Sequence, residues 1–326
     1  MITWVDGSDP EWKEQKKKYC ADIYSDDHVE RYRDWGLLRY WFRGVEKYAP
    51  WVRKIHFITD GQIPSWLDVS NPRLHVVKHE DYLPKDILPT FNSCVIENQM
   101  HKLEGLAEHF VYFNDDMFLI HYVKKEYFFQ NGLPCDMLAL QPVVANPKNP
   151  VMSQTFLNNT LILSKHFTKR KEMLSHPGRF FHVGYPVKYF CYNILELCFP
   201  QMTGFYTIHG ASPFLKETFE AVWKLEEDIL RETSKGRFRN RADINQYLFR
   251  EWQKLSGKFV PRNVLKDLGY FEIGTENEKL CNCIRKHKKK MVCINDVGAG
   301  GDEAAVRKKL IASFDEILPR KSSFEL

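Results

Sequence analysis

The chain has 326 residues, 44% hydrophobic and 27% charged, with a formal charge of +5 at pH 7. This is ordinary for a soluble globular protein, large enough for one big α/β domain or two smaller ones, and the mild positive charge suits an anionic substrate. No run of about 18 apolar residues occurs, so no membrane-spanning helix is expected, and no basic-apolar-small pattern reads as a signal peptide.

Ile2 to Val5 reads as a short strand that begins abruptly, which leaves room for a trimmed leader. Asp6-Gly-Ser-Asp-Pro10 is a turn directly after it. Gly7 permits tight backbone whose N–H groups suit phosphate, and Asp6 and Asp9 suit metal or ribose hydroxyls. The same residues equally make a capped turn into a helix with Pro10 at its first position. Arg31 to Tyr48 is predicted as one amphipathic helix, with Trp35, Leu38, Trp41, Phe42, Val45 and Tyr48 at three- and four-residue spacings. Arg33 and Arg39 lie off its apolar stripe and can reach phosphate from a helix start. Lys54 to Thr59 and Leu74 to Val77 are further strands.

Ser93 is placed as the cap of a helix running to about His109, on which Glu97 and His101 share a face. They form either a polar wall of a site or an exposed pair. Phe110 to Phe113 is a buried strand, and Asn114, Asp115 and Asp116 follow it together. Two adjacent carboxylates at a buried strand end need a cation or several donors, unless they close an Asx turn. Residues 121 to 200 are less legible: Cys135 to Val144 reads as a strand, Phe156 to Ser164 as strand or helix.

Phe205 to His209 is strand-like and ends at Gly210, with a helix expected from Phe214 to about Thr233. Arg237, Arg239 and Arg241 surround the start of a last long helix, Asp243 to Leu255, and suit an anion. Met291 to Ile294 is a strand followed at once by Asn295 and Asp296, and Glu303 to Leu318 is the closing helix. The eight cysteines, Cys20 among them, are scattered and point to free thiols in a reducing compartment. Cys281, Cys283, His287 and Cys293 have poor spacing for structural zinc. The order of elements implies a mostly parallel, Rossmann-like sheet flanked by helices, with an inserted mixed region. Such a sheet can bring the polar strand ends to one edge, where α/β sheets bind ligands.

Several segments resemble a known family. Thr3-Trp-Val-Asp-Gly-Ser-Asp-Pro10, Glu46-Lys-Tyr-Ala-Pro-Trp-Val-Arg53, Ile58-Thr-Asp-Gly-Gln-Ile-Pro-Ser-Trp66, Leu88-Pro-Thr-Phe91, His101-Lys-Leu-Glu-Gly105 and Phe113-Asn-Asp-Asp-Met117 are similar to the first two conserved blocks of the Stealth family. His209-Gly-Ala-Ser-Pro213 with Arg237 to Asn245 resembles its third block. Cys293-Ile-Asn-Asp296 with Ser323-Phe-Glu325 resembles its fourth. Family members are sugar-1-phosphate transferases, including bacterial capsule polymerases and the animal N-acetylglucosamine-1-phosphotransferase. The animal enzyme's long spacer domains are not matched, so a microbial source is expected.

The resemblance implies a single catalytic domain over 1–326 with a GT-A-like sheet. Residues 1–120 would be a nucleotide-binding half, 121–200 an acceptor-side insertion, and 201–326 the rest of the core. It implies transfer of a hexose-1-phosphate from a nucleotide sugar such as UDP-N-acetylglucosamine to a hydroxyl of a carbohydrate acceptor. A divalent ion, Mg2+ or Mn2+, would sit on Asp115, Asp116, Asn295 and Asp296. His209 would take the acceptor proton, and Arg239 would balance phosphate charge. Asp6, Gly7, Ser8, Arg33, Arg39, Glu97, His101, Asp243 and Asn245 would contact substrates. No nucleic-acid partner is expected. The chain would work in the bacterial cytoplasm or at the inner face of the membrane. The rivals are a metal-dependent glycosyltransferase attacking the anomeric carbon and a non-catalytic polyanion binder using the basic run at 285–290.

Overall fold

The structure, a computed structural model, describes residues 1–19, 28–147, 149–274, 276–298 and 302–326; Cys20 lies outside them. The first half comprises β1 (Ile2–Thr3), α1 (Pro10–Tyr19), α2 (Leu38–Tyr48), β2 (Ile55–Thr59), β3 (Leu74–Lys78), α3 (Ser93–Asn98), β4 (His109–Tyr112), β5 (Met117–Leu119), β6 (Phe129–Gln130) and β7 (Leu133–Asp136). Four helices follow: α4 (Pro150–His166), α5 (Lys169–Ser175), α6 (Pro177–Phe180) and α7 (Val187–Glu196). The rest comprises β8 (Ser212–Leu215), α8 (Lys216–Leu225), α9 (Glu227–Ser234), α10 (Tyr247–Leu255), β9 (Val260–Pro261), β10 (Leu268–Glu272), α11 (Asn277–Arg285), β11 (Met291–Asn295) and α12 (Glu303–Ile317).

β1, β2 and β3 form the expected parallel sheet. A parallel bridge from Ile2 to Phe113 attaches the end of β4 to β1, and β8 runs antiparallel to β4. Side chains alternate across a strand, so each strand feeds two cores. On β2, Phe57 enters the core formed with α2, β5, β11 and α12, while Ile58 enters the core formed with α8 and α10. Phe113 and Tyr112 divide in the same way. The fold is thus mixed α/β with helices on both faces. A second sheet, β10-β11-β5, pairs β11 parallel to β10 and antiparallel to β5.

Several elements end where local chemistry ends them. The helix predicted over Arg31 to Tyr48 is broken: Val29–Tyr32 is a 3-10 turn and α2 starts at Leu38. Gly36 sits at φ 71°, and its N–H donates to the Asp34 carboxylate at 2.8 Å, an Asx-type turn that interrupts the helix. Arg33 and Arg39 therefore do not share a helix. Within α2, Gly44 lets the helix approach β5, since a Cβ there would lie 2.8 Å from the Leu119 carbonyl oxygen.

α3 is capped by Asn92, whose side chain accepts from Cys94 N–H at 3.0 Å, and not by Ser93. It ends at Asn98, well short of His109, because a 3-10 turn at Met100–Lys102 and Gly105 at φ 70° intervene. The segment before Gly210 is largely irregular, with Phe205 bridged to Leu140. Phe214 lies in β8 rather than in a helix, and α8 and α9 break at Glu226. α10 begins at Tyr247, not Asp243, because the preceding turn is held by side chains. Residues 156 to 164 are helical within α4, which Asn149 caps and Pro150 opens. The strand expected from Cys135 is shorter, ending at Asp136.

Candidate active site at the end of β4

Three strand ends meet at Asp116, and strand register puts them there. β4 pairs with β8 so that Tyr112 faces Ser212. In an antiparallel pair, residues leaving one strand meet residues entering the other. Asp116 therefore meets His209, whose Nε2 lies 3.0 Å from Asp116 Oδ2. β5 pairs with β11 so that Met117 faces Cys293, and the Cys293 thiol donates to Asp116 Oδ2 at 3.2 Å. Ile294 N–H donates to the Asp116 carbonyl at 2.8 Å, fixing the loop.

α10 supports His209 from behind with residues three apart on one face. Tyr247 Oη lies 2.9 Å from His209 Nδ1. Arg250 donates to the Ile208 carbonyl at 2.8 Å and to both Asp136 carboxylate oxygens, at 2.6 and 3.0 Å. Both partners of that ion pair are buried, so the charge of each is balanced by the other. Asp136 ionises readily although burial opposes it, because Arg250 and Lys254 outweigh the burial. Both nitrogens of His209 are thus engaged. Burial pulls its titration down, but the Asp116 charge and hydrogen bond, with Glu97 behind them, move it above its ordinary value. Tyr247 is pushed up by burial and stays a neutral phenol.

The second carboxylate oxygen of Asp116, Oδ1, is buried without a hydrogen-bond partner. Asp115 beside it is exposed. Desolvation by the protein groups around it, then the charges of Asp116 and Asp34, push its carboxyl up to about 8. Glu97 is buried, accepts from Tyr112 Oη at 3.3 Å, and is raised by burial against the pull of Arg239. Arg239 donates to Ser93 Oγ at 2.6 Å, and its charge reaches Glu97, Asp243 and His209. The structure therefore groups Asp115, Asp116, His209, Arg239 and Glu97.

The remaining expected site residues lie in other settings. Asp6 closes its own turn, accepting from Ser8 N–H at 2.8 Å and Ser8 Oγ at 2.6 Å. Gly7 is required there, since a Cβ would lie 2.2 Å from the Tyr32 carbonyl oxygen. Asp296 is held by Arg33 at 3.1 Å, by the Trp35 indole at 3.0 Å and by Gly298 N–H at 2.9 Å, so both its oxygens are in use. Arg33 also pairs with Glu303 at 3.2 Å. The Asn295 amide stands against the Tyr270 hydroxyl. Arg39 stacks over Trp66. His101 lies between Phe219 and Trp223, and no contact joins it to Asp116. Asp243 is buried under Asn92 and the Asn240 N–H, and Asn245 is bonded to Asn159 at 2.8 Å. Asp243 and Asn245 are buried, and their hydrogen bonds hold the loop before α10.

Two groups at the centre were missed as site residues. Tyr247 falls among the apolar residues of the last helix, where nothing local marks it as a site residue. Cys293 was weighed for zinc with Cys281 and Cys283, but the alternation of β11 places it on the same face as Asn295. Cys94, Cys135, Cys191, Cys198, Cys281, Cys283 and Cys293 are all unpaired.

Comparison with known proteins decides the family. The chain matches Stealth conserved region 1 over residues 2–22, conserved region 2 over 31–136 and conserved region 4 over 282–326. It is 41% identical to the capsular polysaccharide phosphotransferase WcwK of Streptococcus pneumoniae, covering 100% of this chain and 97% of that protein. The chain belongs to the Stealth family. Other full-length Stealth relatives are the receptor polysaccharide phosphotransferase WefC of Streptococcus oralis, 38% identical with 100% and 98% covered, and the exopolysaccharide phosphotransferase cps2G of Lactiplantibacillus plantarum, 40% identical with 100% and 95% covered. As a Stealth protein the chain is an enzyme, a phosphotransferase. Mouse xyloside xylosyltransferase 1 overlaps 74% of this chain and 83% of its own at a TM-score of 0.29 and 10% identity, too distant for any conclusion to rest on it. Among the described residues no helix is long and apolar enough to cross a membrane.

Proposed function

We propose that this Stealth enzyme transfers a hexose-1-phosphate from a nucleotide diphosphate sugar, such as UDP-N-acetylglucosamine, to a hydroxyl of a bacterial polysaccharide. The acceptor oxygen attacks the phosphorus that bears the sugar. The bond from that phosphorus to the bridging oxygen breaks, a phosphodiester forms, and a nucleoside monophosphate leaves. The observation that carries this reading is the Tyr247–His209–Asp116 chain at the end of β4, with the Arg239 charge beside it.

A sugar hydroxyl is a weak nucleophile at neutral pH, and His209 is the group placed to take its proton. Nε2 serves once it exchanges Asp116 for the incoming hydroxyl, while Tyr247 keeps the ring oriented through Nδ1. Arg239 offers a fixed positive charge to the phosphate, and its forked geometry suits phosphate oxygens. The turn Asp6-Gly7-Ser8 is proposed to seat the nucleotide.

The residues also fit a hard divalent ion, Mg2+ or Mn2+. Asp116 Oδ1 is a buried acceptor with no partner, and the Asp115 carboxyl, held up to about 8, would ionise beside a cation. Asp115 and Asp116 would hold the ion; Asn295 and Asp296 are committed to Tyr270 and Arg33. When bound, such an ion neutralises charge on the phosphate oxygens. Association with the inner membrane surface is supported by Leu161, Leu174, Val187 and Leu195, all exposed on the helices after β7. These helices are the proposed acceptor side.

Incubation with a panel of nucleotide sugars, followed by identification of the released nucleotide, tests the reading. A nucleoside monophosphate is expected. Release of a nucleoside diphosphate would mean attack at the anomeric carbon and a glycosyltransferase instead.

A further inference from the structure

We propose that Asp116, His209 and Cys293 form a site for a thiophilic divalent cation of the Zn2+ class, and that its occupation blocks transfer. The binding half stands on the donor geometry alone; the inhibitory half rests on His209 being the base.

Asp116 Oδ2 lies 3.0 Å from His209 Nε2 and 3.2 Å from Cys293 Sγ, and one donor atom from each of the three falls within 4.8 Å of the others. Zinc binds oxygen, nitrogen and sulfur at roughly 2.0–2.3 Å in a tetrahedron, so its donors stand roughly 3.3–3.8 Å apart. The three atoms need shift only by tenths of an ångström to about one ångström. They come from three separate segments, the loop after β4, the loop before β8, and β11, so the backbone already holds them together. Tyr247 on Nδ1 supplies the outer partner that orients a ligating imidazole. Cys293 is buried, while the side chains of His209 and Asp116 are 31% and 23% exposed, so a fourth position opens toward solvent. Three protein ligands and one open position is a known zinc arrangement.

The chemistry selects against the hard ion of the transfer reaction. Mg2+ takes oxygen donors and keeps its waters, whereas thiolate and imidazole favour Zn2+ or Co2+. On binding, the thiol proton leaves to solvent. A neutral imidazole carries its remaining proton on Nδ1, where the Tyr247 oxygen accepts it. The cation then uses Asp116 Oδ2 together with His209 Nε2, the atom the transfer needs free.

The test uses Co2+ as a spectroscopic probe on the full chain carrying Cys20→Ser, Cys191→Ser and Cys198→Ser, so that the thiols left outside the site are the buried Cys94, Cys135, Cys281 and Cys283. One Co2+ per chain is expected, with thiolate-to-cobalt charge-transfer absorption and tetrahedral d–d bands that Zn2+ abolishes. Cys293→Ser is expected to remove the charge-transfer band and to weaken binding beyond the roughly 10- to 100-fold typical of outer-shell partners. A folded Cys293→Ser protein, judged by circular dichroism, that keeps the band overturns the site. If Cys293→Ser does not fold, His209→Gln decides: loss of the tetrahedral bands supports the site and their persistence overturns it. Zn2+ is also expected to stop transfer in excess Mg2+. Unchanged transfer with Zn2+ bound overturns the inhibitory role alone and leaves the transfer reading untouched.

Discussion

His209 carries most of the proposed chemistry, and its environment says how a substitution should behave. Its ring is held by Tyr247 on one side and Asp116 on the other. Removing a general base costs about 10²- to 10⁴-fold in rate. His209→Ala is therefore expected to lose that much turnover while the donor dissociation constant, measured by calorimetry, stays near that of the parent. Normal turnover would remove His209 from the base role. Arg239 makes a narrower prediction. Arg239→Lys keeps the charge but loses the planar fork, and a Lys cannot reproduce bidentate contact with phosphate. A large fall in kcat is expected; unchanged kinetics would show that Arg239 does not contact the phosphate.

Among the elements, β2, β3, β4, β11 and the closing helix were readable because apolar period and bounding polar residues agree there. The helix at Arg31 to Tyr48 was overextended because its apolar spacing continues through Trp35, and only the Asp34–Gly36 turn interrupts it. The joining of His209 to Asp116 could be expected only loosely, as two polar strand ends. What makes it specific is the β4–β8 register, which is long-range and leaves no local trace. His101 shows the opposite error. Helical periodicity put it with Glu97, but α3 stops first, and the ring turns into an aromatic core. The first turn yields a test of element packing. A Cβ on Gly7 would collide with the Tyr32 carbonyl, to which the Gly7 N–H also donates at 2.9 Å. Gly7→Ala is expected to cost about 1–3 kcal/mol in chemical denaturation, as overpacking does, and to raise the donor KM. An unchanged midpoint and KM would mean that this contact is not needed.

Across the whole molecule, stability should depend on acid through the buried His56 and the half-buried His101. Burial, then Lys102 and Lys216, lower His101 to about 4, against an ordinary value of about 6.5 in the unfolded chain. A folded value below the unfolded one means that stability is full above about pH 6.5 and falls as the pH drops toward about 4. The shift corresponds to roughly 3 kcal/mol at most. Tm measured from pH 7 to 4 should therefore fall less steeply in His101→Phe than in the parent, with His56, lowered to about 3 chiefly by burial, adding to the slope in both. Identical slopes would show that His101 charges without cost. The central claim concerns which bond to phosphorus is broken, and a label answers it most directly. With UDP-N-acetylglucosamine labelled at the phosphate adjoining the sugar, the account expects the label to appear in the carbohydrate product as a phosphodiester, with unlabelled nucleoside monophosphate released. Label remaining wholly in a released nucleoside diphosphate, with sugar transferred, would contradict it.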